Sequence, residues 1–463
     1  MNKLSLFINN KYTKLILTII AFIYYILSAY STIISNYIMY SIYGIILYFL
    51  LLSKDTKVAL YFVLLAPFTI YKTNVSNNIV EMFSWFVPII FLSFGILTNH
   101  LLYKPKLKLG KFTIGLYIYF IGLSLSGIQS KTAYEYTEYL YKWYYYVLLF
   151  ISLTIITYGI IYFVSTTKSS LLELSNDSIY LTILIILEVI FFCIFNNYSI
   201  SNVINHKLIN LGWAVNNEVA IIILSLMPLS IYKSFINIKK YWYYLIIYII
   251  QFLLLILCVS KGAILSALIC SIILLLGLII FKKEYRKQLL IILSISLISI
   301  LFIIILVMTQ IDDFSHHLTF NTLNARFKIW KSALNIFSKN YIFGIGVFSP
   351  FAWHMGPGWT HYQFAHNTII HSLVISGVFG TLCLIYHLVE KYSRVIYKIN
   401  YNKFILLMCF IYPALYGLVD NTYLFINYYF ILVYQMISFE QEIEYEEIGY
   451  LIHFNKVEYK SRD

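Results

Sequence analysis

The feature that most constrains this chain is the recurrence of unbroken apolar runs. Stretches long enough to cross about 30 Å of hydrocarbon follow one another from near residue 15 to near residue 438. Backbone polar groups inside a bilayer must be satisfied within the spanning structure, so continuous apolar runs of this kind fold as helices. A β-barrel would alternate apolar and polar residues and is excluded. With 61% hydrophobic and only 11% charged residues, an ordinary water-soluble domain is excluded too. The expected fold class is all-α: a polytopic membrane protein of about 12–14 transmembrane helices.

Fourteen spans are read near 15–35, 37–52, 58–71, 79–97, 112–128, 145–164, 178–198, 217–235, 242–259, 262–281, 289–309, 366–389, 404–420 and 421–438. They divide the chain into N-terminal transmembrane helices (1–196), a second transmembrane region with a long loop at 310–365 (197–438), and a tail (439–463). No cleavable signal peptide is expected, because Lys3, Lys11 and Lys14 precede an apolar run too long for a signal core. With the N-terminus in the cytoplasm, 24 of the 33 Lys and Arg fall inside and 9 outside. The positive-inside rule then predicts a multi-pass plasma (inner) membrane protein with both termini inside. The formal charge of +13 is thereby a topology signal. It calls for membrane lipids and not for nucleic acid.

This topology puts Asn217, Lys261, Arg326, His366 and Asp420 on the outer face. Four of the nine outer basic residues (Arg326, Lys328, Lys331, Lys339) gather in the one long outer loop, as an anionic ligand would require. Within that loop, Leu323 to Phe337 has helical period. Leu323, Phe327, Trp330, Leu334 and Phe337 are expected on one face, with Lys328, Ser332 and Asn335 opposite and Arg326 and Lys331 at the edges. A short basic amphipathic helix beside spans belongs in the membrane interface. Gly344 and Gly346 then break the helix, and His366-Asn367 open the next apolar run.

The ordered set Arg326, Trp330, Asn340, Gly344-Ile345-Gly346, His366-Asn367, Gly377 and Gly380 resembles the shared domain of the O-antigen ligase and polysaccharide polymerase superfamily. The similarity extends back to Ser260-Lys261-Gly262-Ala263, where the family usually has Ser-Arg-Gly-Ala, and to Asn217-Glu218-Val219-Ala220. Lys261 stands in place of that Arg, Tyr341 where Pro often follows Asn, and Ser376 where Glu often precedes Gly. The resemblance implies an extracytoplasmic membrane glycosyltransferase that polymerises or ligates surface polysaccharide of O-antigen or capsule type. Its donor would be a polyprenyl pyrophosphate-linked oligosaccharide and its acceptor a glycan or lipid-glycan, with polysaccharide-assembly proteins as candidate partners. It implies no cofactor and metal-independent chemistry.

Each candidate residue also has a plainer explanation. Lys261 either marks a turn and reaches into the headgroups or offers a point charge to phosphate. Asn216-Asn217 either cap a helix or, through Asn217, bond substrate. His366 is a helix-start packing residue or a catalytic base, and neighbouring histidines and an outward arginine favour the second reading. Glu188, mid-membrane, is a functional carboxylate or a hydrogen-bonded helix contact. Asp312-Asp313 and His316-His317 lack ligand spacing and do not make a metal site. The five cysteines sit in apolar runs and read as small hydrophobes.

The chemistry needs fixed cations for the leaving pyrophosphate. Arg326 is the first choice, for its bidentate fork, and Lys261 the second. It also needs a base for the acceptor hydroxyl, for which His366 is the candidate. His361, Asn367, Asn217 and Asp420 are candidates for substrate contact. A flippase or transporter of lipid-linked oligosaccharide is the alternative, and it should carry charged residues inside its spans.

Overall fold

The computed structural model describes residues 12–30, 33–71, 86–129, 143–168, 170–291, 320–347, 365–425 and 427–441, with positions 8, 10 and 294. The protein is all-α; among the described residues the only β-type pairing is an isolated bridge between Asn210 and Val215. The helices are α1 (Thr13–Ala29), α2 (Ile33–Leu51), α3 (Lys57–Leu65), α4 (Phe86–Tyr103), α5 (Lys111–Leu125), α6 (Trp143–Thr166), α7 (Leu171–Phe195) and α8 (Ile200–His206). They continue with α9 (Asn216–Ile236), α10 (Ile238–Tyr241), α11 (Tyr243–Leu257), α12 (Lys261–Phe281), α13 (Phe320–Lys339), α14 (Thr368–Ile396) and α15 (Tyr401–Tyr416). Residues 427–441 are also helical. Among the described residues five helices (α6, α7, α9, α12 and α14) are long and apolar enough to cross a bilayer, and seven shorter apolar helices accompany them. The expected span at 289–309 lies almost wholly outside the described residues.

The chain divides into two compact units, Met1–Ile114 with Ile155–Ser260 and Ile426–Asp463, and Gly115–Thr154 with Lys261–Phe425. In the first unit α9 is the central helix. It is apolar all round and almost entirely buried, as a helix without a solvent or lipid face must be. It packs against α7 and α11. The three are joined by a short polar chain, in which Ser230 donates to Gln251 at 3.1 Å and Gln251 donates to Thr182 at 2.8 Å. Such pairs hold spans together where apolar contact alone gives no preference over lipid.

α7 begins seven residues before the span read from hydropathy at 178, because Ser170 caps it, accepting from the Glu173 amide at 3.2 Å. Glu173 and Asp177 delay the hydropathy signal. Both are neutralised inside the unit, by Lys57 at 2.9 Å and Lys14 at 2.6 Å. Glu188 accepts a hydrogen bond from the Trp213 indole at 2.8 Å, so it is a hydrogen-bonded helix contact.

In the second unit α12 packs on α15, α15 on α14, and α14 on α13. α14 is not one helix. At Gly377 the backbone turns to φ 64°, ψ −166°, and the helix breaks into two arms. Four backbone bonds cross from the loop after α13 to this break. Ile345 and Gly346 donate to the carbonyls of Val374 and Ile375 at 2.9 Å each. Val378 and Phe379 donate to the carbonyls of Tyr341 and Ile342 at 2.8 and 3.1 Å. Two carbonyls and two amides at the break therefore find partners, as broken helix in a membrane protein requires. Gly344 and Gly377, both with positive φ, allow the approach. A Cβ on Gly344 would lie 2.6 Å from the Gly377 nitrogen, and one on Gly377 would lie 2.3 Å from the Ile342 oxygen.

The side of α13 that packs within the protein is Ile329, Ala333 and Ile336, whereas Phe327 and Leu334 of the expected interfacial stripe are 59% and 44% exposed. Apolar residues occupy two sides of this helix, and the side carrying Ala333 is the one slim enough to meet α14. One expectation needs correcting here: the span read as ending at 389 continues, since α14 runs to Ile396 and Lys391 lies buried within it.

Candidate functional site

The N-terminus of α14 is built by side-chain capping. Asn367 accepts from the Ile369 and Ile370 amides at 3.0 Å each, a normal Asn cap. Its own Nδ2 donates to the Leu418 carbonyl at 3.0 Å, so its amide is engaged at both ends. His366, just before the cap, takes a left-handed conformation at φ 47°. For a non-glycine residue that conformation persists only where surroundings impose it.

Those surroundings are the turn after α15. The Asn367 amide donates to Asn421 Oδ1 at 3.0 Å, and the Thr368 amide donates to the Gly417 carbonyl at 2.9 Å. Thr368 Oγ1 donates to the Asp420 carbonyl and accepts from the Thr422 amide, both at 3.2 Å. This zipper brings His366 Nδ1 to 3.3 Å from Asp420 Oδ1. The Asp420 side chain is 3% exposed and that of His366 28%, so the imidazole can be reached while its carboxylate partner is enclosed.

Asp420 receives two further supports. Tyr416 donates to Oδ2 at 2.8 Å, and the Asn421 amide donates to Oδ1 at 2.8 Å. Burial alone would push this carboxyl upward. The hydrogen bond and charge of His366, then the Asn421 amide and the Tyr416 hydroxyl, outweigh it and hold the carboxyl below its ordinary value. With Nδ1 directed to the carboxylate, Nε2 is the nitrogen left for a proton acceptor's role.

Two other candidates approach the same corner. Trp330 on α13 donates its indole N–H to the Ala365 carbonyl at 2.7 Å, next to His366. Arg326, half-buried, lies one helical turn before Trp330. Beneath them Ile329, Ala333 and Ile336 of α13, Ile345, Ala365, and Val374 and Ile375 of α14 form one apolar cluster. From the other side comes the N-terminus of α12. A Cβ on Gly262 would lie 2.7 Å from Val419 and 3.0 Å from Tyr416, so α12 begins directly against the end of α15. Lys261, exposed, is the first residue of α12, where the macrodipole adds positive charge.

Lys261, Arg326, His366, Asn367 and Asp420 thus belong to one unit; His366 and Asn367 bond directly to the turn at 418–421, whereas Arg326 and Lys261 are connected to it through their neighbours Trp330 and Gly262. Asn217 belongs to the first unit; it accepts from Lys207 at 3.2 Å. Neither Asn216 nor Asn217 caps α9: the N-cap is Val215, whose backbone N–H donates to the Glu218 carboxylate, and Asn216 Nδ2 donates to the Cys258 carbonyl at 3.0 Å. His361, Asp312-Asp313 and His316-His317 lie outside the described residues. Among the described residues no cluster of three or more His, Cys, Asp or Glu is arranged to hold a metal ion.

Sequence reasoning missed Tyr416 and gave Asn421 no part in the site, and it offered Asp420 for substrate contact and not as the partner of His366. The i, i+4 spacing of Tyr416 and Asp420 is the one signal that was available. His371 is a supporting residue: it is buried, with Nδ1 3.5 Å from the Ala365 nitrogen and 3.4 Å from Asn421 Nδ2.

Comparison with known proteins gives one family. Residues 246–385 match the family model described as O-Antigen ligase, a region that takes in Lys261, Arg326 and His366 and stops short of Asp420. No curated protein matches the chain. Over this region, somewhat under a third of its length, the chain is similar to the O-antigen ligase family.

Proposed function

We propose that this O-antigen ligase-type membrane glycosyltransferase moves glycan from a polyprenyl pyrophosphate carrier to a sugar hydroxyl on the extracytoplasmic side. The observation that carries the reading is the His366–Asp420 pair, exposed on its imidazole side and enclosed on its carboxylate side. The acceptor oxygen attacks the anomeric carbon and its proton passes to Nε2 of His366. The bond from the anomeric carbon to the pyrophosphate oxygen breaks, and the electron pair leaves with the polyprenyl pyrophosphate. Arg326 is assigned to the developing negative charge, as a planar fork that stays protonated. Lys261 and the N-terminus of α12 reinforce it as a compact cation and a dipole. Nucleotide sugars are made in the cytosol, so a lipid-carried donor suits a site on the far face.

The test is the glycan chain-length profile of a deletion strain complemented with wild type, Arg326→Ala or His366→Ala at equal membrane levels. Loss of the ladder to single lipid-linked units is expected of a polymerase. Long chains that stay on the carrier are expected of a ligase. Wild-type profiles from both variants would sink the assignment.

A further inference from the structure

Deep in the second arm of α14 lies a cation that the chemistry above does not use. Lys391 is fully buried inside a helix apolar enough to cross a bilayer. Its Nζ stands 4.9, 4.7 and 4.9 Å from the ring centres of Tyr392, Phe410 and Tyr423. It also donates a hydrogen bond to the Tyr423 hydroxyl. His387, one turn earlier and equally buried, is stacked on Tyr119 at 6.4 Å and meets Tyr423 edge-on at 6.1 Å. Among the described residues no carboxylate pairs with Lys391. An apolar side chain of the same length would cost less in this place, so a retained ammonium calls for a use.

Its use lies in what it grips. Tyr423 comes three residues after Asp420. Asp420, Asn421 and Thr422 are bound to His366, Asn367 and Thr368 at the start of the first arm. Tyr423 is bound to Lys391 in the second arm, on the other side of the Gly377 break. One four-residue segment therefore bridges both arms of a broken helix.

We propose that the Lys391–Tyr423 contact is a latch that positions the segment carrying Asp420, and through Asp420 fixes the orientation of the His366 imidazole. The claim rests on the reading of His366 as the base. Lys391 and Tyr423 are positioning residues; neither touches substrate.

The test uses the full chain in nanodiscs, with polyprenyl pyrophosphate-linked oligosaccharide extracted from the deletion strain as donor. Lys391→Met keeps the length and removes the donor group, Tyr423→Phe keeps the ring and removes the hydroxyl, and Lys391→Arg restores a cation. Amide hydrogen exchange at 417–424 is expected to rise roughly tenfold in the Met and Phe variants, with α9 unchanged. Their kcat is expected to fall about tenfold, with KM for the donor within about twofold. The acid limb of the rate profile should move to lower pH, as is expected also of Asp420→Asn, and Lys391→Arg should recover part of both losses. Wild-type exchange in both variants would overturn the latch whatever the rates. Raised exchange with an unmoved pH profile would overturn its positioning of His366. A wild-type rate from His366→Ala would instead remove the base reading, and the exchange data would still decide whether the segment is latched.

Discussion

Asp420 is a buried acid held in its charged form, and this makes a pH-dependent contribution to stability. Its carboxyl sits lower in the folded protein than in the unfolded chain. Unfolding therefore takes up a proton at acidic pH, and the contribution is complete above the unfolded value of about 4. It is lost as pH falls through the lower, folded value. Asp420→Asn keeps the shape, leaves His366 and Tyr416 without an anion, and should cost roughly 1–3 kcal/mol at neutral pH. The wild type and the variant should converge below about pH 4 in thermal unfolding. A gap that stays constant well below that pH would contradict the assignment. The variant's turnover should fall on the order of a hundredfold if His366 is the base. His366 itself was legible in the sequence from its place at the head of an apolar run. Its partnership with Asp420 was not, since 54 residues separate them and only the capping zipper of Asn367 and Thr368 brings them together.

The break in α14 sets the demands on its element. Gly377→Ala and Gly344→Ala would each force a Cβ onto a backbone atom of the facing segment. Each also strains a positive φ, and positive-φ strain alone costs about 1–3 kcal/mol. Both variants should fail to accumulate as monodisperse protein in fluorescence-detected size exclusion. Gly159 in α6 is the control. Among the described residues a Cβ there would meet nothing within 4 Å, and Gly159→Ala should be neutral or stabilise by up to about 1 kcal/mol. Equal behaviour of the three variants would refute the exchange of backbone bonds at the break. The sequence displayed Gly344, Gly346 and Gly377 plainly. That two of them face each other across 33 residues is a tertiary fact, and hydropathy carried α14 straight through. α13 teaches a related lesson, since periodicity found the helix and its larger apolar side but not the side that packs. Packing against α14 used Ala333 and its neighbours instead.

For the whole molecule, composition alone was enough to give an all-α membrane protein, because continuous apolar length permits little else. The boundaries of the spans were less legible wherever charges are neutralised internally, as Lys14 and Lys57 do for Asp177 and Glu173. The sidedness read from lysine and arginine counts is open to direct measurement. In intact cells a membrane-impermeant maleimide should label Lys339→Cys and should reach Lys106→Cys only after permeabilisation. The reverse pattern would put Arg326 and His366 on the cytosolic side and remove the lipid-carried donor from the account. The anchoring of the chain on either side of 348–364 has a further consequence. Gly346 is fastened to the break of α14 and Ala365 to Trp330, so both junctions are set by the same two helices. A shift of α13 against α14 would therefore reach both junctions at once.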